Sequence, residues 1–212
     1  TGLMEKREVR IEDLRRFRFV SDPQVSPDGE KIAFVLSSID YEGDKYNRHI
    51  WMADTVTGEV EQFTHGEGSD TSPRWSPDGE KILFLSSGRL EEKKSQLWRI
   101  PRRGGEARLV ADREGVTSPI WGPDSERVIF LSRAWIRKET ESDVKRLTRI
   151  KYKLNGVGTF EGGRMHLFTV RPGGEPDQLT EGDYDVEAVD WSPEGDQIAL
   201  VANMEEDTDV KI

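Results

Sequence analysis

The stretch WSPDGEKILFL at residues 75–85 decides the fold, because it recurs along the chain. Close copies are VSPDGEKIAFV at residues 25–35 and WSPEGDQIALV at residues 191–201, and a weaker copy, WGPDSERVIFL, lies at residues 121–131. In each copy proline sets the φ angle of a tight turn and an acidic residue follows it. Where glycine comes next, it accepts a left-handed conformation before the second strand. Each copy therefore predicts two antiparallel strands joined by a tight turn.

Each hairpin is followed by two more predicted strands. In the first repeat they cover residues 49–54 and 60–64, and in the second they cover residues 96–100 and 107–110. The strand after each Ser-Pro-Asp-Gly turn is apolar on both faces, so we expect each sheet to be covered on both sides. Four antiparallel strands in a unit of roughly forty to fifty residues are typical of a β-propeller blade.

The sequence thus predicts an all-β protein: a partial β-propeller of about three and a half four-stranded blades, preceded by a short N-terminal helix. The extension covers residues 1–19 and the incomplete propeller residues 20–212. We expect the blades at about residues 20–64, 71–111, 117–180 and 186–212, with a third strand of the last blade starting at residues 209–212. Because a propeller removes its sheet edges by closing a ring, we expect either a fragment of a longer protein or two chains that complete each other.

Residues 9–17 have a different period from the repeats. Val9, Ile11, Leu14 and Phe17 form an approximate apolar stripe of a helix, with acidic residues early and basic residues late. Two interpretations stay open at this point. The helix either caps its own domain or docks onto a second one.

The third repeat contains an insertion at about residues 133–163, roughly twenty residues longer than the corresponding links. Residues 142–152 within it are basic and alternate with apolar residues. Long insertions on a repetitive scaffold often carry function or specificity. The alternative is a solvated excursion without a role.

Composition excludes several classes of function. The formal net charge of −10 argues against nucleic-acid binding, which needs a concentrated basic surface. No apolar run approaches the length of a bilayer span, and the first residues do not resemble a secretory signal. Without cysteine there is no disulfide or thiolate chemistry. We therefore expect a cytoplasmic protein that does not associate with membranes.

The order of these features resembles the acylaminoacyl-peptidase branch of the prolyl oligopeptidase family. The resemblance is carried by residues 20–29 (VSDPQVSPDG), the repeated hairpins, and residues 149–158 (RIKYKLNGVG) followed by residues 166–168 (HLF). Residues 178–180 (QLT) and 182–185 (GDYD) before Trp191 add to it. It covers nearly the whole chain, but only the front half of that family's propeller.

The resemblance implies a serine peptidase that removes acylated or free N-terminal residues from short peptides. In that family the propeller restricts access to a C-terminal α/β-hydrolase domain, which carries the Ser-Asp-His triad. This chain would then be the non-catalytic, substrate-filtering portion, inactive alone, with that hydrolase domain and peptide substrates as partners. The family's N-terminal helix packs on the hydrolase domain, which assigns Leu14 and Phe17 to an interdomain contact.

The residues themselves predict no catalytic, cofactor-binding or metal-binding group in this chain. It lacks Gly-x-Ser-x-Gly, the turn that exposes a nucleophilic serine in α/β-hydrolases. His49 and His166 share one repeat position at the start of a third strand, and His65 lies between blades. Two acidic clusters, at residues 183–187 and 205–209, lack the spacing of a calcium loop. The tryptophans at 75, 121 and 191 share a repeat position that predicts packing between blades.

Two further functions stay open. One is a protein-binding scaffold of the TolB or WD-repeat type, without chemistry, because TolB-like propellers share the Ser-Pro-Asp-Gly hairpin. A propeller enzyme acting on carbohydrates or small molecules would need carboxylates that converge at the channel mouth, which the sequence cannot show. We also expect the exposed sheet edges of an incomplete ring to favour self-association, hence a possible homo-oligomer.

Overall fold

A computed structural model describes residues 8, 10–66, 68–90, 95–113, 115–135, 153–154, 158–159 and 163–204. Within these residues the chain forms three antiparallel four-stranded sheets in tandem and the first hairpin of a fourth. The expected all-β partial propeller is confirmed. The insertion at about residues 133–163 lies largely outside the described residues, as do the second acidic cluster and the strand expected at residues 209–212.

Blade 1 contains β1 (Arg18–Val25), β2 (Lys31–Asp40), β3 (Lys45–Asp54) and β4 (Val60–Gln62). Blade 2 contains β5 (Ser69–Trp75), β6 (Lys81–Ser87), β7 (Gln96–Pro101) and β8 (Arg108–Ala111). Blade 3 contains β9 (Thr117–Trp121), β10 (Val128–Trp135), β13 (Gly163–Val170) and β14 (Asp177–Gln178). A two-stranded ribbon, β11 (Lys153–Leu154) and β12 (Gly158–Thr159), lies within the third repeat, and β15 (Val186–Trp191) with β16 (Ile198–Ala202) starts blade 4.

The N-terminal helix is a six-residue 3₁₀ helix, η1 (Ile11–Arg16). The amide of Arg10 donates to the Asp13 carboxylate at 2.9 Å, which fixes the start of the helix. Ile11, Leu14 and Phe17 recur every third residue, and three residues per turn is the period of a 3₁₀ helix. These side chains therefore lie on one side of the segment.

The recurring turn has the same geometry in each blade. Gly29, Gly79 and Gly195 have φ angles of 76°, 72° and 71°, as expected from their place before the second strand. In the weaker copy Ser125 adopts this conformation, with φ of 57°. The Ser125 hydroxyl accepts a hydrogen bond from the Asp78 amide at 3.0 Å and so connects the turns of blades 2 and 3.

Apolar clusters fill the spaces between successive blades. The second strands β6 and β10 are buried on both faces, most clearly β6, where five consecutive residues are buried, whereas the three central residues of β16 are exposed. Phe84 and Trp98 pack against blade 1, and Phe130 and Phe168 occupy the same place between blades 2 and 3. A third cluster joins blade 3 to β15 and β16. Each blade thus covers the face of the next one.

The repeated tryptophans lie at these junctions. The indole of Trp75 donates to the Gln24 carbonyl at 3.0 Å, and Trp121 donates to the Arg74 carbonyl at 3.1 Å. Each bond connects the first strand of one blade to the first strand of the preceding one. The indole nitrogen of Trp191 is buried without a partner among the described residues.

We expect acid to destabilise the turns between pH 4 and pH 2. Burial alone would raise the pKa of Asp124, but hydrogen bonds from Arg127 and Glu126 outweigh it and hold this pKa at about 2. Hydrogen bonds from the Arg102 guanidinium, the Ser26 hydroxyl and the backbone amide of Glu30 hold the pKa of Asp28 far below its ordinary value. A carboxyl group whose pKa is lowered by folding stabilises the folded protein at pH values above its pKa in the unfolded chain, which is about 4. This stabilisation disappears as the pH falls towards 2.

The measurement is the melting temperature from pH 7 to pH 2. It should be nearly level down to about pH 5 and then fall. Asp124→Asn should remove on the order of 1 kcal/mol of stability at pH 7, after screening by solvent, and flatten part of the fall. The exposed Asp177 offers a matched control, since Asp177→Asn should leave the profile unchanged. An acid profile of Asp124→Asn that matches the original chain would contradict this prediction.

Candidate interdomain surface

The antiparallel order of the strands gives the blades two ends. One end carries the Ser-Pro-Asp-Gly turns and the turns from each third to each fourth strand; we call it the hairpin face. The opposite end carries the links between blades, the connections from each second to each third strand, and η1; we call it the link face. The guanidinium of Arg15 in η1 lies 4.1 Å from the ring centroid of Tyr41, which follows β2. This contact fixes η1 at the link face.

Leu14 and Phe17 are exposed at this face. Leu14 is 50% and Phe17 is 46% exposed, and Ile11 beside them is 75% exposed. The Phe17 ring packs edge-on against the exposed Phe19, with 6.2 Å between centroids. The segment therefore presents an apolar cluster to its surroundings, and its assignment to an interdomain contact stays a prediction.

The free side of β1 is a second uncovered apolar surface. Val20 is exposed, whereas the valines at the same repeat position, Val116 and Val186, are only 1% and 2% exposed. Those two are covered by the preceding blade. Val25 on β1, which faces the same side as Val20, is exposed as well. The first blade thus has the apolar residues for a neighbour on this side.

At the junction of blades 1 and 2, a cavity of about 390 Å³ lies beside the link. Its lining includes His65, Asp70, Arg89, Trp98 and Glu106, with four glycines. Asp70 occupies the repeat position of Val116 and Val186. The blade 1–2 junction is therefore polar where the other two are apolar.

Asp70 forms a buried ion pair in this cavity. One carboxylate oxygen accepts a hydrogen bond from the Ser86 hydroxyl at 2.5 Å, and the other accepts one from Nη2 of Arg89 at 2.8 Å. The Asp70 side chain is 3% and that of Arg89 24% exposed. The guanidinium also lies 5.1 Å from the Phe84 ring centroid and 5.8 Å from that of Trp98. Because both charges are desolvated, each depends on the other.

This neighbourhood brings together a serine, a carboxylate and a histidine, but not in the order of a catalytic triad. A triad needs the imidazole between the hydroxyl and the carboxylate. Here the Ser86 hydroxyl donates directly to Asp70 and is 1% exposed. His49 lies nearby with a buried Nδ1 that has no partner among the described residues. Burial lowers the pKa of His49, so the ring is neutral at pH 7.

Of the other two histidines, His166 has both ring nitrogens hydrogen-bonded inside blade 3, whereas His65 lines the cavity described above. His166 is 1% exposed, and its Nε2 lies 3.1 Å from the Gly182 carbonyl while its Nδ1 lies 3.1 Å from the Thr180 hydroxyl. Since a carbonyl only accepts, Nε2 carries the proton and donates it to Gly182. Both nitrogens are thus satisfied. His49 and His166 lie inside β3 and β13, which begin earlier than the sequence predicted, and His65 lies between blades as expected.

The first acidic cluster is bound to an arginine. Arg164 donates to Asp183 at 2.9 Å and to Asp185 at 3.0 Å. The amide of Met165 donates to the Asp185 carboxylate at 2.8 Å. Within the part of the chain that the structure describes, no three His, Asp or Glu side chains are placed to hold a metal ion. The same part contains no helix that is long and apolar enough to cross a bilayer.

Comparison with known proteins identifies several relatives. The TolB beta propeller domain family matches residues 10–154. The uncharacterized peptidase YuxL of Bacillus subtilis (strain 168) is 34% identical over 216 residues; the match covers 96% of this chain and 32% of that protein. The chain therefore spans about a third of the length of the curated relative it matches.

Two solved structures have a similar fold. An acylaminoacyl peptidase in complex with Z-Gly-Gly-Phe-chloromethyl ketone superposes with a TM-score of 0.69 at 23% identity, over 88% of this chain and 28% of that one. TolB from Acinetobacter baumannii superposes with a TM-score of 0.57 at 22% identity, over 85% of this chain and 37% of that one. The resemblance to acylaminoacyl-peptidase propellers expected from the sequence is confirmed. At this level of identity, the superpositions themselves establish the fold alone.

Proposed function

We propose that this chain, which belongs to the TolB beta propeller domain family, is the non-catalytic, substrate-filtering propeller portion of a serine peptidase. The parent enzyme removes acylated or free N-terminal residues from short peptides. One observation carries the proposal: nearly the whole chain aligns with about a third of a longer peptidase. The remaining part of such a protein is where a hydrolase domain with the nucleophile would lie.

The exposed apolar cluster of η1 supports a covering domain at the link face. Monomeric proteins rarely leave contiguous apolar patches without a function. Leu14 and Phe17 lie on one side of a short helix held against β2 through Arg15 and Tyr41. In this proposal they pack on the C-terminal α/β-hydrolase domain of the same protein.

Filtering follows from the geometry of a propeller. The first strand of each blade lines the central channel of the ring, and the blades around it are rigidly packed. A channel of this kind admits an extended peptide and excludes a folded protein. The inner strands β1 and β5 are held together by the Arg74–Asp22 ion pair at 2.8 Å and by the Trp75 indole.

The filter is tested with the full-length protein that contains this chain. Its hydrolysis rate is measured on an acetylated tripeptide and on a small folded protein that begins with the same residues. We expect the tripeptide to be cleaved and the folded protein to survive until it is denatured. Equal rates on the two substrates would refute the filtering role while leaving the peptidase assignment intact.

The interdomain contact gives a separate prediction. In the full-length protein, the double variant Leu14→Ser/Phe17→Ser should weaken domain coupling by about 1–3 kcal/mol, because two half-exposed apolar side chains lose their burial. Scanning calorimetry should then resolve two unfolding transitions that coincide in the original protein. Val56, 85% exposed on the hairpin face, supplies the control variant Val56→Ser, which should change nothing. Coincident transitions in the double variant would remove η1 from the interface.

The family match also favours a second candidate. TolB-like propellers share this fold, so a protein-binding scaffold without chemistry is the alternative. It predicts that the full-length protein has no hydrolase domain and that a protein partner co-purifies with it. The cytoplasmic location and the possible homo-oligomer remain predictions, which cell fractionation and sedimentation of the full-length protein would test.

A further inference from the structure

At two successive blade junctions an arginine lies over one or both rings of a cross-strand aromatic pair. Phe84 and Trp98 are paired across β6 and β7, and Arg89 lies over both rings. Phe130 and Phe168 are paired in the same way across β10 and β13, and their rings stack at 5.7 Å. Here the guanidinium belongs to Arg113, in the link to blade 3, at 4.0 Å from the Phe168 centroid. Blades 2 and 3 thus repeat one arrangement with arginines from different segments.

The two junctions differ in their carboxylate. At the junction of blades 1 and 2, Asp70 neutralises Arg89. At the junction of blades 2 and 3, the repeat position of Asp70 is occupied by Val116, which is 1% exposed. Arg113 has one hydrogen bond in the described part of the chain, a long one of 3.4 Å from Nη2 to the Arg133 carbonyl. Its Nε is buried without a partner there. Within the described residues, this position therefore keeps a half-buried cation without the anion that its counterpart has.

Some other half-buried arginines have carboxylate partners, whereas Arg48, Arg99 and Arg133, like Arg113, have no ion pair among the described residues. Arg74 pairs with Asp22, Arg89 with Asp70, and Arg164 with Asp183 and Asp185. At Arg113 burial lowers the pKa, and no carboxylate among the described residues counteracts it. A desolvated guanidinium with free donors, stacked on an aromatic ring, is a strong receptor for a carboxylate. Since Arg113 lies on the link face, a ligand held between propeller and covering domain would reach it.

We propose that Arg113 binds a carboxylate that the described residues do not supply, namely the free C-terminal carboxylate of a short peptide. The identity of this ligand rests on the proposed function, whereas the receptor role of Arg113 does not. The guanidinium positions the far end of the peptide and takes no part in bond cleavage. A carboxylate side chain from elsewhere in the full-length protein has the same chemistry, and the experiment separates the two sources.

The first arm measures binding to the full-length protein by calorimetry. The probes are N-acetyl-D-alanyl-D-alanine, which resists hydrolysis, and its C-terminal amide. The carboxylate should bind roughly tenfold more tightly than the amide, which corresponds to one hydrogen-bonded charge. Arg113→Gln should abolish this preference. Arg103→Gln, at an exposed position on the hairpin face, should preserve it. Because no turnover is needed, this arm reads out even if the protein is not a peptidase.

The second arm identifies a carboxylate from the protein itself. If one is bound, Arg113→Gln lowers the melting temperature at pH 7, and the difference disappears near pH 4, where carboxylates become protonated. A role in stacking alone would keep the difference at both pH values. If the guanidinium neither pairs with a carboxylate nor stabilises the ligand-free protein by stacking, Arg113→Gln leaves the melting temperature unchanged or raises it. Absence of a carboxylate preference together with absence of a pH-dependent loss overturns the proposal.

Discussion

Asp70→Val is expected to lower the free energy of unfolding by about 3–5 kcal/mol, although it installs the residue that the repeat has elsewhere. The substitution leaves the Arg89 guanidinium between Phe84 and Trp98 without its counter-charge. It also removes the acceptor of the buried Ser86 hydroxyl. Loss of one partner of a buried ion pair costs more than the pair contributed, because the other charge stays desolvated. Denaturant unfolding measures the change.

A second substitution distinguishes this cause from simple misfit. In the double variant Asp70→Val/Arg89→Leu both charges are gone and the Ser86 hydroxyl alone still lacks its former acceptor, so most of the lost stability should return. The exposed Arg171–Glu126 pair supplies the matched control. Glu126→Val there should cost less than about 1 kcal/mol. A double variant as unstable as Asp70→Val would show that the ion pair is not the cause.

Gly68→Ala is expected to destabilise the fold by about 2–4 kcal/mol, because the added methyl group would clash with the backbone of β6. An added Cβ would lie 1.7 Å from the Ser87 carbonyl oxygen. The link between blades 1 and 2 would then have to move away from β6, which also opens the cavity beside Asp70. Thermal unfolding measures the loss.

Gly174 is the control for this prediction. It lies in a turn on the hairpin face, where an added Cβ would approach the Arg171 carbonyl oxygen to 3.3 Å, a contact that small shifts relieve. Gly174→Ala should therefore change the melting temperature little. Equal losses in the two variants would show that the contact at Gly68 is not tight.

The propeller could be predicted from the sequence because its signals are local. Each Ser-Pro-Asp-Gly turn needs only its own residues, and the hydrogen bonds from Ser26 and Glu30 to Asp28 recur at Ser76, Glu80 and Asp78. The tryptophans at the blade junctions follow from the same register. The period of η1 was also visible at positions 11, 14 and 17, but an α-helical stripe and a 3₁₀ helix differ little over so short a segment.

The polar features of the junctions could not be predicted in this way. Asp70 and Arg89 are nineteen positions apart, and Arg113 stacks on a phenylalanine from another strand, so only packing of the blades brings them together. One local signal was missed. Asp22, Ser72 and Ser118 each precede a proline and have φ of 48°, 54° and 49°, beside irregular register in β1, β5 and β9. In these three strands the bulge coincides with a polar residue before proline, whereas β15 has a similar shift in register without a proline.

The central claim is that this chain is a propeller arc whose reacting groups lie in another part of the protein. It is tested most directly by assaying an acetyl-amino-acid anilide with the purified chain and with the full-length protein, after contaminating peptidases have been removed. The account predicts hydrolysis by the full-length protein and none by the chain alone. Turnover by the chain at a rate comparable with the full-length protein would contradict it.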